Sequence, residues 1–470
     1  MSRRSRPAVT LYSPDREREA MRSFPGIGPV SESVRSGVGA AVGVTGKAFV
    51  SVASEALASV ADDAGSRAAR TPPESERRVR EPTGVETGST VETESDYDHD
   101  ERDHGRRAHD RRRLEVLLVG PVRATGGIAR YIDELRARLP PDVSVAVHDT
   151  AAPPGSGPLW FARGVLYGLA GALRFPFRDR PDVVHIHTAE HYSFLRKSAY
   201  VLLARYVRRT PVILHIHGPT FDRFVADASV PMRALQRVVF AASTAIVVLS
   251  PYWERTLSPS LPAGKTVTLR NAIDADEYEP RFEGDEGDEG GERAHVVFIG
   301  NHVPRKGIRE FTDAVERVVD ADADCEVTIA GSGPLDDRSK DLAERYPQVS
   351  YLGYVSEERK RELLCAASIY VLPSYAEGLP IGVLEGMAGG NAVLATRVGG
   401  VPDLIDGNGG RLVPPRDPGA LAAALGALVD APERTREMGQ HNAERVEEYT
   451  WERVLPRLVD LYETVVVERS

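Results

Sequence analysis

Short apolar runs recur along the chain from residue 114 onward, and most of them end at a glycine or a polar residue. Runs of this length and character are typical of strands that are buried in a parallel sheet. Stretches with helical periodicity lie between many of them and predict βαβ units. The strand-like runs are 114–120, 181–187, 211–217, 245–250, 267–274, 295–300, 325–330, 349–354, 367–372 and 390–395.

The alternation of strands and helices occurs in two blocks. An acidic, glycine-rich stretch at 276–293 separates them and has the composition of a linker. We therefore predict an α/β protein with two Rossmann-like domains, 114–275 and 294–448, that face a central cleft. Residues 449–470 predict an amphipathic closing helix.

Residues 1–113 differ from the rest in composition. They are rich in Ser, Arg, Glu, Asp, Gly and Pro and poor in large apolar residues, so they cannot bury enough apolar area to offset their chain entropy. We predict a disordered low-complexity extension. Residues 38–60 leave a second interpretation open, a weak helix that docks on a membrane or a partner.

Net charge and cysteine content exclude several functional classes. The chain carries a formal charge of −10, which disfavours a nucleic-acid partner. Cys325 and Cys365 are its only cysteines, which argues against a disulfide framework or a cysteine zinc site and fits a reducing compartment. No apolar run reaches the length of a membrane span, and no apolar segment follows the basic start. We predict a cytoplasmic location.

The apolar, aromatic stretch 159–177 is flanked by arginines and has helical spacing. Such a helix either lies in a membrane interface or packs on the sheet, and packing is the commoner outcome. The first alternative predicts peripheral contact with the inner face of a membrane.

Two strand-like runs carry similar histidine pairs. Strand alternation places His185 with His187 on one face, and His215 with His217 likewise. Imidazoles from neighbouring strands are possible metal ligands, but no acidic cluster with ligand spacing lies near, so we expect no metal. We expect His185 and His215 to be hydrogen-bonded core histidines, whereas His187 ends its strand and can face the crevice. His217 ends its strand before Gly218, where ligands of parallel sheets bind, and we expect it at a site.

The stretch 374–387 carries two carboxylates, Glu377 and Glu385, eight positions apart. Pro380 between them suits the first position of a helix, so Glu377 is predicted on the loop and Glu385 in the second turn. Free N–H groups at the helix start can receive an anion or sugar hydroxyls. Gly126 and Gly127, also between a strand and a helix, allow close approach of a ligand or simply a tight turn.

Five motifs occur together and in order over 295–415. They are 300–307, 331–334, 351–354, 373–385 and 398–403. In this combination the chain, over about 114–470, resembles the retaining glycosyltransferases of family 4, which have the GT-B fold. The resemblance implies a sugar transferred from a nucleotide-sugar to an acceptor hydroxyl, with retention at the anomeric carbon.

The resemblance also implies roles for individual residues. Glu377 would face the donor sugar, Lys306 would pair with the diphosphate, and His217 would lie near the donor sugar and acceptor. Glu385 would bind the ribose hydroxyls as a carboxylate acceptor. The remaining donor-binding residues that it implies are Gly126, Gly127, Asn301, Arg305, Gly331, Gly333, Tyr354, Gly378, Leu379 and Pro380.

One position departs from the family pattern. Asn301 stands where an arginine is usual, and Arg305 precedes Lys306. Asparagine brings neither the charge nor the fork of donors that arginine would bring to a diphosphate. Either Arg305 supplies that charge, or Lys306 acts with backbone amides alone.

The partners implied are a nucleotide-sugar and a glycan, lipid-linked or small-molecule acceptor, with no cofactor and no obligatory metal. Two other interpretations remain at this stage. One is a nucleotide-sugar epimerase of similar fold, and the other is a GT-B module that binds without catalysis.

Overall fold

The structure is a computed structural model that describes residues 113–122, 126–151, 168, 170–172, 174–175, 179–280, 282 and 293–468. Several predictions fall outside these residues. They are the disordered extension at 1–113 with its alternative helix at 38–60, most of the aromatic helix at 159–177 and most of the linker at 276–293.

The first half of the described chain forms a parallel sheet of six strands with helices between them. Its strand order is β2-β1-β3-β4-β5-β6. The strands are β1 Leu114–Gly120, β2 Val143–Asp149, β3 Val183–Thr188, β4 Val212–Ile216, β5 Ala245–Val248 and β6 Thr266–Thr268. The helices are α1 Gly127–Arg138, α2 Tyr192–Leu202, α3 Phe221–Ala226, α4 Val230–Ala242 and α5 Pro251–Leu257, and a π-helical turn, Leu203–Val207, continues α2.

The second half repeats this plan with the strand order β12-β11-β10-β7-β8-β9. Its strands are β7 Ala294–Ile299, β8 Cys325–Ala330, β9 Val349–Gly353, β10 Ile369–Leu372, β11 Ala392–Thr396 and β12 Gly410–Val413. Its helices are α6 Ile308–Asp320, α7 Asp336–Arg345, α8 Glu357–Ala366, α9 Ile381–Ala388, α10 Val401–Leu404, α11 Pro418–Val429, α12 Pro432–Arg445 and α13 Trp451–Val467. The predicted α/β class with two parallel sheets is confirmed.

Each sheet has its own apolar core, and the last helix belongs to the core of the first. Trp451, Leu458 and Tyr462 of α13 pack with Val116 and Leu118 of β1. A backbone bridge between Ile273 and Thr450 brings the chain back to the first half just before this helix. The last helix thus covers a sheet formed by residues far earlier in the chain.

Local boundaries differ from the sequence predictions in physically clear ways. Pro380 is the residue before α9 rather than its first residue, because its ψ of 118° is extended. The helix predicted from Pro418 ends at Val429, and a new helix starts at Pro432, a position where proline is favoured because no N–H is needed there. The strand predicted over 267–274 ends at Thr268. Edge strand β2 is too polar to stand out in the sequence.

Among the helices of the described residues, none combines the length and the apolar character that a bilayer span requires.

Candidate active site

The loop between β10 and α9 carries Glu377, which is 6% exposed. Lys306 lies on a 3₁₀ turn of the neighbouring strand exit, and its Nζ is 2.7 Å from Glu377 Oε1. Arg305 lies 3.6 Å from the same oxygen and donates to the carbonyl of Ala376 at 2.9 Å. A nearly buried carboxylate is thus balanced by two cations that face the cleft.

The glycine after Lys306 makes this arrangement possible. Gly307 has φ 71°, and a Cβ on it would lie 2.0 Å from the carbonyl oxygen of Pro373. The lysine turn therefore packs directly against the backbone of the Glu377 loop. Another residue at 307 would force the two segments apart.

The carbonyl oxygens of the Glu377 loop are held from outside the loop. Gly378 O accepts from Gly400 N at 2.8 Å and from Trp253 Nε1 at 2.8 Å. Leu379 O accepts from Asn271 Nδ2 at 2.6 Å. The backbone N–H groups of Gly378 and Leu379 have no protein acceptor within the described part of the chain. These amides, in the loop just before α9, are free to bind an anion or a hydroxyl.

The exit of β4 in the first sheet meets this loop. A Cβ on Gly378 would lie 3.1 Å from the carbonyl oxygen of His217. The structure therefore brings the predicted residues His217, Lys306, Arg305, Glu377 and Gly378 together in one part of the cleft.

His217 belongs to a ladder of four histidine rings on β3 and β4. His187 Nδ1 and His217 Nε2 are 3.0 Å apart, His185 Nε2 and His215 Nδ1 are 3.2 Å apart, and His185 Nδ1 bonds the hydroxyl of Tyr462 at 2.8 Å. Burial, followed by the nearby Lys197, lowers the pKa of His217 to about 3. Burial, followed by His217, likewise lowers the pKa of His185 to about 3. All four rings are therefore neutral near pH 7.

The ring nitrogens of His185, His187 and His215 lie within 4.8 Å of one another. The rings pack against each other and against Tyr131, and the hydrogen bonds of the ladder engage both nitrogens of His185. This arrangement is that of neutral, hydrogen-bonded core histidines. The expectation of no metal remains an expectation.

Glu385, the second carboxylate of the pattern, is 5% exposed and lies in a network of charges. Its Oε1 is 2.7 Å from Lys360 Nζ and 2.9 Å from a terminal nitrogen of Arg130. The same two cations contact Glu357. The hydrogen bond from Lys360, together with the charges of Lys360 and Arg130, outweighs the effect of burial and lowers the pKa of Glu357. Glu385, Arg130 and Glu357 border a crevice of about 190 Å³.

The other predicted positions have fewer contacts. Gly331 has φ 123°, and a Cβ on it would lie 1.8 Å from the carbonyl oxygen of Gly300. Gly333 N donates to Asp336 at 2.8 Å. Asn301 is exposed, and Tyr354 is 81% exposed. Among the described residues, no atom beyond their chain neighbours lies within 4 Å of a Cβ built on Gly126 or Gly127.

Sequence reasoning missed Arg130, Trp253, Asn271 and Lys360. Each contacts a predicted residue, but from a helix or loop that carries no recognisable motif. The only available signal is the position of Arg130 in the sequence, three residues after Gly127 at the start of α1.

Comparisons with known proteins match both halves of the chain. Residues 125–277 match the family described as Glycosyltransferase Family 4. Residues 293–431 match the family described as Glycosyl transferases group 1.

Two relatives illustrate the range of similar proteins. The MMP alpha-(1->4)-mannosyltransferase of Mycolicibacterium hassiacum is 30% identical over 201 residues, which are 41% of this chain and 47% of the relative. The chain thus spans about half the length of that protein. The alpha-maltose-1-phosphate synthase of Mycolicibacterium smegmatis is 28% identical over 384 residues, which are 73% of this chain and 97% of the relative.

HepE from Anabaena, solved in complex with UDP-glucose, has a similar fold. It superposes with a TM-score of 0.57 at 14% identity and covers 75% of this chain and 100% of its own.

Proposed function

We propose that this chain, which belongs to the glycosyltransferases of the family 4 type and has the GT-B fold, moves a sugar from a nucleotide-sugar to an acceptor hydroxyl with retention at the anomeric carbon. The observation that carries this proposal is the contact of Lys306 with Glu377 at 2.7 Å, beside two free backbone amides. A carboxylate for sugar hydroxyls and donors for a leaving diphosphate thus lie side by side.

The charges suit the departure of a nucleoside diphosphate. As the bond between the anomeric carbon and the phosphate oxygen breaks, negative charge grows on the phosphate. Lys306, Arg305 and the amides just before α9 are positioned to stabilise it, and preorganised donors of this kind cost no reorganisation when the charge develops. In this proposal Glu377 holds donor-sugar hydroxyls and stabilises positive charge at the anomeric carbon.

Retention follows from a reaction on one face of the sugar. The acceptor oxygen attacks from the side on which the diphosphate leaves, and the departing phosphate takes the proton of the acceptor hydroxyl. Neutral His217 beside the loop is suited to hydrogen bonding with sugar or acceptor rather than to carrying charge. The complex of HepE with UDP-glucose supports a nucleotide-sugar as the donor.

Glu385 is proposed as the ribose-binding carboxylate. Its Oε1 is held by Lys360 and Arg130, which leaves Oε2 to accept from a ribose hydroxyl. The proposed roles of the two glutamates thus differ: Glu377 serves the sugar and Glu385 serves the nucleoside.

The test is a transfer assay with purified full-length protein and a panel of UDP-, GDP- and ADP-sugars with candidate acceptors. We expect one donor class to support transfer and NMR of the product to show the anomeric configuration of the donor. Lys306→Ala and Glu377→Ala should each lower kcat by about 10²–10³-fold, as loss of a preorganised catalytic group does.

Lys340→Ala is the matched control, because that lysine is half-exposed and, among the residues that the structure describes, pairs only with Asp337 three residues earlier. Transfer that is unchanged in Lys306→Ala and Glu377→Ala would refute the site assignment. An inverted product would refute retention, and an epimerised donor without transfer would show a different enzyme.

A further inference from the structure

Arg130 connects the two halves of the molecule at the proposed ribose site. It lies in the first turn of α1, which belongs to the first sheet, whereas Glu385 and Glu357 lie in α9 and α8 of the second. One terminal nitrogen of its guanidinium is 2.9 Å from Glu385 Oε1 and 3.0 Å from Glu357 Oε2. Its Nε is 2.8 Å from Glu134, one turn further along α1. A single planar group thus bridges carboxylates from both sides of the cleft.

Lys360 and Arg130, which both contact Glu385, come from different halves of the molecule. Lys360 comes from α8, in the same half as Glu385, so its contact at 2.7 Å persists whatever the first half does. Arg130 comes from the opposite half, so its contact exists only when α1 lies against α8 and α9. The orientation of the Glu385 carboxylate is therefore tied to the relative position of the two halves.

The shape of the guanidinium matters for this contact. Arginine presents several N–H donors in a fixed plane, which lets it bond Glu134 and the two carboxylates of the second half at once. The ammonium of lysine is a single point with freely turning donors and cannot hold the same three groups at these positions. The contact therefore fixes direction as well as charge.

The contact with Arg130 determines the orientation of the Glu385 carboxylate, whose Oε2 is the proposed acceptor for ribose. Glu385 lines the crevice, and the two cations that hold its Oε1 fix the orientation of the carboxylate there. Without Arg130, the carboxylate is held at one point by Lys360 and can turn. A pair of ribose hydroxyls needs an acceptor of fixed direction, so loss of orientation weakens the recognition of ribose more than that of the base or the diphosphate.

We infer that Arg130 is a positioning residue that orients Glu385 for the ribose hydroxyls of a nucleoside diphosphate and couples their recognition to closure of the two halves. The inference rests on the proposed function, because it takes Glu385 to be the ribose-binding residue. Its ligand class is a nucleoside diphosphate with an intact ribose.

The experiment compares ribose and deoxyribose ligands in the full-length protein. UDP, GDP and ADP are first ranked by calorimetric titration. The tightest binder is then compared with its 2′-deoxy and 3′-deoxy forms in wild type, Arg130→Met and Arg130→Lys. We expect wild type to prefer the ribose form over at least one deoxy form by about 10-fold, and both variants to reduce that preference to about 2-fold or less. Arg136→Met is the matched control, since Arg136 lies on the same helix and forms its only ion pair within the described ranges with Asp133.

A double-mutant cycle with Glu385→Gln adds a readout that a purely structural role would not move. We expect Glu385→Gln to lose the preference as well, and the double variant Arg130→Met with Glu385→Gln to lose no more than either single change. Arg130→Lys keeps a positive charge and serves if Arg130→Met does not fold.

The outcomes separate this inference from the proposed function. If wild type binds none of the nucleoside diphosphates, the proposed function fails. If wild type shows the preference and the Arg130 variants keep it, Arg130 only stabilises the fold and the inference is overturned. Equal binding of ribose and deoxyribose forms by wild type overturns the inference and the role of Glu385, and leaves the proposal for Lys306 and Glu377 standing.

Discussion

Trp253 donates its indole N–H to the carbonyl oxygen of Gly378 at 2.8 Å. Trp253 lies in α5 beside the first sheet, and Gly378 follows Glu377 in the loop of the second. A residue that holds the backbone of the Glu377 loop therefore comes from the other side of the cleft. The amide of Gly400 donates to the same oxygen at 2.8 Å, so the carbonyl is held from both halves.

Replacing Trp253 by Phe tests this bond. The change keeps an aromatic ring in a site that is 3% exposed and removes the donor. We expect a loss of about 1 kcal/mol in the free energy of unfolding, the usual size for one hydrogen bond. We also expect a lower kcat with a smaller change in donor KM, because the Glu377 loop loses a hydrogen bond to its backbone. Urea unfolding and steady-state kinetics measure the two effects.

Tyr252→Phe is the control for that variant. It removes a hydroxyl on the neighbouring residue and leaves the indole bond in place, so we expect a change within about 0.5 kcal/mol. Wild-type kinetics in Trp253→Phe would show that the bond to Gly378 does not position the loop.

Gly399 lies against the same loop and cannot carry a side chain. Its φ is 51°, and a Cβ on it would lie 1.7 Å from the carbonyl oxygen of Glu377. Gly399→Ala should therefore displace Glu377, lower kcat by at least about 10-fold and destabilise the protein by about 1–3 kcal/mol. Transfer kinetics and thermal unfolding check this expectation.

The matched substitution is Gly426→Ala in helix α11, where no described atom outside the local helix backbone lies within 4 Å of a built Cβ. There alanine should stabilise by about 0.5–1 kcal/mol, because glycine loses more backbone freedom on folding. If both variants behaved alike, the contact with Glu377 would not be the cause.

The buried amine of Lys197 should make the stability of the protein depend on pH. Its side chain is buried and bonds Ser193 Oγ at 3.0 Å, and no carboxylate of the described residues lies within ion-pair distance. Burial, followed by Arg196, lowers its pKa to about 7 from 10.5. Between these values the unfolded chain binds more protons than the folded one, so this residue makes stability rise with pH over that window.

Lys197→Met should remove the free-energy cost of burying this amine. We expect the variant to be more stable than wild type by about 3–5 kcal/mol at pH 6, where the penalty is complete. The difference should shrink from pH 7 upward and vanish above about pH 10.5. Chemical unfolding at a series of pH values measures it, with the half-exposed Lys340→Met as a control that lacks this trend. A difference that does not change with pH would contradict the lowered pKa.

Arg305 is the candidate to supply, at the donor diphosphate, the positive charge that Asn301 lacks. Its guanidinium is 44% exposed, donates to Ala376 O at 2.9 Å and lies 3.6 Å from Glu377. Arg305→Gln should raise the donor KM several-fold with little change in stability, because exposed arginines contribute little to folding. Adding Asn301→Arg to Arg305→Gln should recover part of the loss.

Arg434→Gln, at a similarly exposed arginine paired with Glu437, provides the comparison for that variant. An unchanged donor KM in Arg305→Gln would leave the diphosphate to Lys306 and the backbone amides.

The periodicity of the chain predicts much of this architecture, because buried parallel strands need continuous apolar runs. The same logic anticipates that His217 lies at a strand exit and that Glu377 precedes a helix start. The structure adds that these two segments touch, which no local pattern indicates.

The residues that the sequence could not assign act over long separations. Trp253 and Gly378 are 125 positions apart, and Asn271 and Leu379 are 108 apart. Such contacts depend on how the two halves pack, and a tryptophan or an asparagine in a loop has the same sequence signature whether or not it bonds a distant carbonyl. Arg130 and Lys360 are charged residues on helices, which usually face solvent.

Helix α13 has a consequence for the order of folding during synthesis. The indole N–H of Trp451 bonds Glu134 across 317 positions, and Tyr462 bonds His185 across 277. The first sheet therefore leaves the ribosome long before the helix that completes its core, whereas the second sheet is finished by residues close to it in the chain. Because long-range contacts form slowly, the second half is expected to reach its native packing first and the first half to mature after it, although it is made earlier.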